Sequence, residues 1–331
     1  MTENILTPTA EIEEIQIDAT LRPKTLVDFV GQPRLKQSLN LALAAAKKRQ
    51  EPIDHVLLYG PPGLGKTTIA HIIALEQGGN LHVTTGPALT RAGDLAALLT
   101  NLESGDVLFI DEIHRLNKVV EETLYSGMED NRLDLVLGKG PAARTVSIDL
   151  KPFTLVGATT RFGALSGPLR SRFGIINKLE YYDPDDLSKI LIRSANILKI
   201  QFDISAASSL AKRARGTPRI ANRLLRRARD TAQIHYNGQI TQAAVSATVK
   251  LLEIDELGLD ASDRDLLTRI IEHHHGGPVG IETLASALSE DSGTIEEVYE
   301  PFLIQLGFLA RTKGGRIVTD LAYKHLGLTR T

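Results

Sequence analysis

His55-Val56-Leu57-Leu58-Tyr59-Gly60-Pro61-Pro62-Gly63-Leu64-Gly65-Lys66-Thr67-Thr68 is the stretch that decides the fold. Its first five residues form a short apolar run of strand type. Gly60 to Thr67 then satisfies G-x-x-x-x-G-K-[ST] in full, and a helical pattern follows from Thr68 to Gln77. Strand, glycine-rich loop and helix in this order make a phosphate-binding loop. Glycines at Gly60, Gly63 and Gly65 let backbone N–H groups wrap an anion, and the helix N-terminus adds positive potential. In such a loop Lys66 reaches the β- and γ-phosphates and the Thr67 hydroxyl ligates Mg²⁺. A glycine-rich turn with a chance lysine would explain neither the strand nor the helix.

Working outward, Val107-Leu108-Phe109-Ile110-Asp111-Glu112 is a second apolar strand, and it ends in two carboxylates. A strand buried on both faces delivers its C-terminal residues to the ligand crevice. Asp111 is expected to hold Mg²⁺ through water, and Glu112 to polarise the attacking water. Phe153–Thr160 is a third such run, and Thr159 or Thr160 at its end is placed to meet the γ-phosphate or the water. Arg170 and Arg172, in Leu169-Arg170-Ser171-Arg172-Phe173-Gly174, are candidates for an arginine that meets a neighbouring subunit's phosphate. Gly216-Thr217-Pro218-Arg219 carries helix-start signals and puts Arg219 at a helix N-terminus, within reach of a γ-phosphate. Arg223, Arg226, Arg227 and Arg229, further along, read as a solvated or subunit-contacting face.

Strand-like runs at 55–59, 81–85, 107–110, 153–157 and 175–179 alternate with helix-length segments. This pattern predicts a largely parallel sheet covered by helices, an α/β core. Asp183-Pro184 breaks the pattern, and helical periodicity then covers 185–198, 205–215, 219–235 and 241–252. After a short linker at 254–259 come helices at 263–275, 281–289 and 294–306 and a hairpin around 312–315. The domains expected are a flexible tail (1–20), a large core (21–182), a small all-α domain (183–254) and a C-terminal domain (255–331). Since one hydrophobic core rarely exceeds ~250–300 residues, several domains suit a chain of 331. The absence of Cys excludes disulfides and thiolate metal sites. His273, His274 and His275 are adjacent and cannot share one helix face, which argues against a metal site there. A polar N-terminus and the lack of a ~20-residue apolar run point to the cytoplasm, with no membrane span.

The net charge of −2 argues against a globally basic coat. Residues 212–229 carry eight basic and no acidic residues, whereas 256–331 carry twelve acidic and seven basic. Any nucleic acid must therefore meet local patches. The three-helix-plus-hairpin pattern of the C-terminal domain is that of a winged helix. Its third helix contains Glu296, Glu297 and Glu300 and no base, so it is a poor groove reader. The hairpin offers Arg311, Lys313 and Arg316, suited to phosphates; a protein-docking role fits these residues equally well. A second hairpin is expected at 132–148, turning at 138–141. Leu133, Leu135 and Leu137 share one face of its first arm, either as a docking surface or packed on their own domain.

LRP at 21–23, GPPGLGKT, LFIDEIH, GATTR, LRSRFG and GTPRIANRLLRRAR, in this order, resemble an AAA+ ATPase. AGDLAALLTNLE, GPAARTVSIDL, GGPVG and EPFLIQLGF narrow the resemblance to the RuvB family of bacterial Holliday-junction branch-migration motors, from about Leu21 to Leu328. That resemblance implies a P-loop ATPase core with a helical lid and a DNA-binding winged helix. It also implies a hexameric ring on duplex DNA that works with RuvA at a four-way junction, with RuvC as a further partner. Leu21 and Arg22 would lie on the adenine side. Gly63, Gly65, Lys66, Thr67 and Thr68 would hold the phosphates of ATP, with Mg²⁺ on Thr67 and Asp111. Glu129, Asp130 and Asn131 would lie beside the nucleotide; Asn131 stands where the family often has an aromatic, which removes a stacking role. Arg172 would be the trans-acting finger, with Arg170 as runner-up, and Tyr182 and Arg219 would close the site. DNA contact would fall on Arg311, Lys313 and Arg316, and RuvA on the 132–148 hairpin. A clamp loader would instead end in a helical collar. A nucleotide-gated DNA switch would carry a basic recognition helix.

Overall fold

The computed structural model describes residues 20–137 and 144–330, with the side chains of 135–137 and 144–145 outside that description. The expected tail up to residue 19 and the 138–141 turn lie outside the described residues. The described residues fall into two compact units, 20–182 and 183–330.

In the first unit, strands β1 (Val56–Tyr59), β2 (Leu81–Thr85), β3 (Val107–Asp111), β6 (Thr154–Thr159) and β7 (Ile175–Lys178) form one parallel sheet in the order β2-β3-β6-β1-β7. Residues of β1, β3 and β6 are almost all buried, as expected of central strands covered on both faces. His55 ties the start of β1 to its surroundings. Its Nδ1 accepts from the Leu155 amide (2.9 Å) and its Nε2 contacts the Met128 carbonyl (3.1 Å), while burial pushes its pKa down. Because β1 lies between β6 and β7, the loop after it opens at the carboxyl edge of the sheet, where α/β folds bind ligands.

The expected hairpin forms from β4 (Arg132–Leu137) and β5 (Arg144–Asp149), with Leu133 opposite Ile148. Of the two readings left open for this arm, Leu133 takes the packed one. Leu133 is 0% exposed and lies in the core with Leu99, Leu124 and Leu150, so it offers no docking surface. Alternation along a strand does not by itself tell its outer face from its inner one.

In the second unit, the part expected to be all-α has four helices, Pro184–Ile197, Ile204–Arg213, Pro218–His235 and Gln242–Leu251, and also a short parallel pairing of Gln201–Phe202 with Gln239–Ile240 that two-residue runs do not announce in the sequence. Asp183 and Thr241 cap the first and last through hydrogen bonds to the amides of Asp186 and Ala244. Thr217 stands at the N-terminus of the third, but its hydroxyl donates to the Ala214 carbonyl and does not cap. Arg223 and Arg226 are buried within the chain, against the expectation of a solvated or subunit-contacting face, while Arg227 and Arg229 pair with Asp230.

The C-terminal part has helices Ala261–His274 and Ile281–Leu288, then a helical stretch in three pieces: Ser292–Thr294, a π turn at Ile295–Tyr299, and Glu300–Gln305. The wide turn ends two residues before Pro301, whose ring would clash with the carbonyl four residues earlier, Glu297, in a regular α-helix. Strands Leu309–Thr312 and Gly315–Val318 form the wing, extended by a bridge from Val279 to Arg316. A final helix, Asp320–Leu326, was not foreseen. Leu266, Leu267, Ile270, Leu284, Phe302 and Leu309 are buried together in this core.

Candidate nucleotide site

The loop after β1 is shaped by backbone that only glycine adopts easily. Gly60 has φ +141° and a Cβ there would meet the Leu179 carbonyl at 2.5 Å; Gly65 has φ +99° and caps the helix Lys66–Gln77. That helix has no acidic residue in its first turn, which leaves its positive end uncompensated. Lys66 Nζ donates to the carbonyls of Gly60 (2.9 Å) and Pro61 (2.8 Å), so the ammonium is held over the loop itself. Tyr182 donates its hydroxyl to the Leu64 carbonyl (3.2 Å), which brings it onto the loop. Leu21 is buried. The Arg22 charge adds to burial in lowering the pKa of His71 on the loop's helix, which places Arg22 near that helix.

Asp111 ends β3, and its Oδ1 accepts from the Glu112 amide (2.9 Å). Glu112 takes the left-handed conformation at φ 48°, unusual for a residue with a side chain and characteristic of functional positions. Its carboxylate is paired with Arg115 at 2.9 Å on the exposed side of the turn. The Glu112 carbonyl lies so close to Gly86 that any Cβ there would meet it at 2.5 Å, which fixes the turn's position against the end of β2.

The two threonines separate. Thr159 is 1% exposed; its Oγ1 accepts from the Arg161 amide (2.9 Å) and bonds His114 Nδ1 (2.9 Å). Thr160 is exposed at the strand end. The two arginines separate as well. Arg170 lies over the Phe162 ring (5.4 Å), which in turn packs on Tyr59 at the end of β1. Arg172 lies over Tyr125 (4.2 Å), donates to the Pro168 carbonyl (2.7 Å) and pairs with Glu129 (2.9 Å). Glu129 and Arg172, 43 residues apart, therefore form one surface. Asp130 ends the helix Lys118–Glu129, and Asn131 follows at φ 48°.

Tyr125 was missed in the sequence. Glu121, Tyr125 and Glu129 recur every four residues and so share one helix face, the signal that pointed to it. The Tyr125 hydroxyl donates to Glu121, and Ser166 donates to the same carboxylate; burial first, then Glu121, push the phenol pKa up.

Comparison with known proteins follows the chain almost end to end. Residues 21–179 match the Holliday junction DNA helicase RuvB P-loop domain, 182–255 the RuvB AAA lid domain and 256–327 the RuvB C-terminal winged helix domain. The solved structure of the Thermotoga maritima RuvB Holliday junction branch migration motor is 55% identical, covering 94% of this chain and 99% of that one, with a TM-score of 0.85. A mutant of the same Thermotoga RuvB is 54% identical over 93% of this chain and 99% of its own, at a TM-score of 0.86. The chain belongs to the RuvB family. As a RuvB-family protein it is a nucleotide-binding AAA+ ATPase with a lid and a winged helix.

In this RuvB-family chain the wing cations are not equivalent. Glu300 is 0% exposed and accepts from Nε of both Arg311 (2.5 Å) and Arg316 (2.5 Å), and Arg316 also bonds Glu296 (3.0 Å). The Arg316 side chain is only 12% exposed, against 48% for Arg311. Glu296 and Glu300, read only as obstacles to DNA, anchor the wing from beneath. Arg316 is thus a structural cation, and Lys313, at the exposed tip, is the open one. No described helix is long and apolar enough to cross a membrane.

Proposed function

We propose that this chain is an ATP-hydrolysing motor that drives branch migration of Holliday junctions. The observation that carries the reading is a complete phosphate loop beside an Asp111-Glu112 strand end, in a chain of the RuvB family from core to winged helix. Lys66, the loop amides and Thr68 hold the phosphates, and Leu21, Arg22 and Tyr182 bound the site. Thr67 and Asp111 offer one hydroxyl and one carboxylate. Such a sparse oxygen set suits Mg²⁺, which keeps water and phosphate oxygens as its other ligands and supplies charge neutralisation when bound. Glu112 releases Arg115 and takes up the attacking water, whose oxygen bonds the γ-phosphorus as the bond to ADP breaks. Thr160, with its free exposure, is a better partner for that water than Thr159.

Arg172 acts in trans on a neighbour's ATP in a hexameric ring, and Arg219 reads the γ-phosphate from the lid. The ion pair of Arg172 with Glu129 supports this, since it joins the finger to the 129–131 element assigned beside the nucleotide. The domains are 21–182, 183–254 and 255–331. RuvA docks on the 132–148 hairpin through residues other than Leu133, RuvC joins the assembly, and duplex DNA meets the wing at Lys313 and Arg311. The protein works in the cytoplasm.

Dissociation of a synthetic four-way junction by this protein with RuvA, ATP and Mg²⁺ tests the reading, with Glu112→Gln as control. ATP-dependent conversion to duplex arms, lost in the control, is expected. Hydrolysis without junction movement overturns the motor and favours a clamp-loader or switch. Mixing Arg172→Ala with Lys66→Ala chains tests the shared site. Mixed rings no more active than either single variant remove its support.

A further inference from the structure

The turn that begins the arginine-rich lid helix carries a buried device that nucleotide chemistry does not use. Arg215 sits between helices Ile204–Arg213 and Pro218–His235, 5% exposed and in the left-handed conformation at φ 52°. Its Nε donates to the Gly258 carbonyl (2.9 Å), and its Nη2 meets Asp260 (3.2 Å) and Asp263. The guanidinium face lies over the Phe302 ring at 4.6 Å. One lid side chain therefore reaches the linker, the start of the first winged-helix helix and the middle of its core. Asp260 and Asp263 cap that helix reciprocally, each accepting the other's amide (2.9 and 3.0 Å).

The linker itself is held throughout. Gly258 has φ +92°, and a Cβ there would meet the Arg213 carbonyl at 2.7 Å. Asp255 accepts from the amides of Leu257 and Leu259 (both 2.9 Å) and pairs with His325 of the last helix (2.8 Å). A short segment clamped at both ends cannot act as a free tether. Arg219, assigned to the nucleotide, is four residues from Arg215 across the same turn.

We propose that Arg215 is the positioning residue that makes lid and winged helix a single lever, so that displacement of the helix start at Thr217–Arg219 reaches the DNA-bound wing and is not absorbed in the linker. The proposal rests on the reading of Arg219 as a nucleotide contact. Arginine is required because a planar fork serves three acceptors in the stretch Gly258–Asp263 while stacking on the Phe302 ring, which a lysine point charge cannot do. Within the cluster Asp263 Oδ2 takes both the Arg215 and the Asp260 contacts and Oδ1 is buried without a partner among the described residues, so the geometry of the fork is what holds the arrangement.

Two variants of the full chain test it on a four-way junction with RuvA. Arg215→Lys keeps the charge and loses the fork; Arg215→Met with Asp263→Asn keeps charge balance and packing on Phe302. Both are expected to hydrolyse ATP within about twofold of the parent while junction dissociation falls about tenfold, a size usual for residues that carry coupling. Parallel loss of both activities, or retention of both, overturns the proposal, since a merely structural residue moves them together. Because the chain has no Cys, Ile204→Cys and Leu321→Cys, both exposed, accept spin labels at two unique sites. One narrow distance distribution is expected with Arg215, and a broader one in either variant. An unchanged distribution refutes the lever. Arg219→Ala separates the two readings: unimpaired hydrolysis there, with uncoupling still seen in Arg215→Lys, removes the nucleotide role of Arg219 and leaves the lever intact.

Discussion

Replacing Thr159 and Thr160 one at a time by Val divides a structural hydroxyl from a chemical one. Val matches Thr in shape, so the packing of β6 is preserved and only the hydroxyl is lost. At position 159 that removes the acceptor of the Arg161 amide and the partner of His114 Nδ1, both at 2.9 Å, in a side chain 1% exposed. A buried group left unpaired costs about 1–3 kcal/mol. Water reaches the exposed Arg161 and recovers part of one loss, so about 2–3 kcal/mol is expected. For a unit of this size each kcal/mol lowers Tm by about 2–4 °C, which gives a drop of roughly 4–12 °C. Thr160 is exposed, and its replacement is expected to change stability by less than about 0.5 kcal/mol. If its hydroxyl bonds the γ-phosphate or the water, a hydrogen bond to a charged group is lost, about 1.5–3 kcal/mol. That corresponds to a roughly ten- to hundredfold fall in kcat/KM for ATP. Thermal melts and steady-state hydrolysis on both variants measure the two effects. A Thr160→Val protein that hydrolyses ATP at the parent rate refutes the assignment, as does a Thr159→Val protein that melts with the parent.

Leu133→Ala is expected to destabilise by about 3–5 kcal/mol, as a fully buried leucine does when a cavity is left; an unchanged denaturant midpoint would return Leu133 to the docking surface. At the wing, Lys313→Ala should weaken duplex binding and flatten the log-affinity against log-salt slope by about 0.9, one phosphate contact, without altering Tm. Arg316→Ala should instead lower stability by about 1.5–3 kcal/mol, because Glu300 and Glu296 lose charged hydrogen bonds; equal melting of the two variants contradicts the distinction drawn between them. Burial, opposed by Arg215 and reinforced by neighbouring Asp260, pushes the Asp263 carboxyl up to about 7 from 3.8. A raised acid favours the folded state when protonated, so its contribution is full below about pH 4 and is lost as pH rises through about 7. Unfolding free energies measured from pH 5 to 8 should fall along that window, and Asp263→Asn should remove that part of the slope; an identical slope in the variant rules out Asp263 as its source.

The chain alone was enough to locate the nucleotide site, because the chemistry is local. A phosphate loop needs glycines, lysine and threonine at fixed spacing between a strand and a helix, and all of these are consecutive residues. Asp111 and Glu112 were legible for the same reason: an apolar strand announces where its carboxyl end will be. The alternation of strands and helices likewise gave the parallel sheet, since burial on both faces imposes continuous apolar runs. What the tertiary structure alone decided is which of two neighbours does what, and which charges are already answered. Thr159 and Thr160 differ by one residue, hence by a face of the sheet, and only the arrival of His114 shows which hydroxyl is committed. Arg170 and Arg172 diverge toward Phe162 and Tyr125. Glu300 beneath Arg316, and Asp263 beneath Arg215, lie 16 and 48 residues from their partners. Ion pairs between distant residues leave no periodic trace in the sequence. They arise from packing, which sets both the desolvation of each charge and the partner that relieves it.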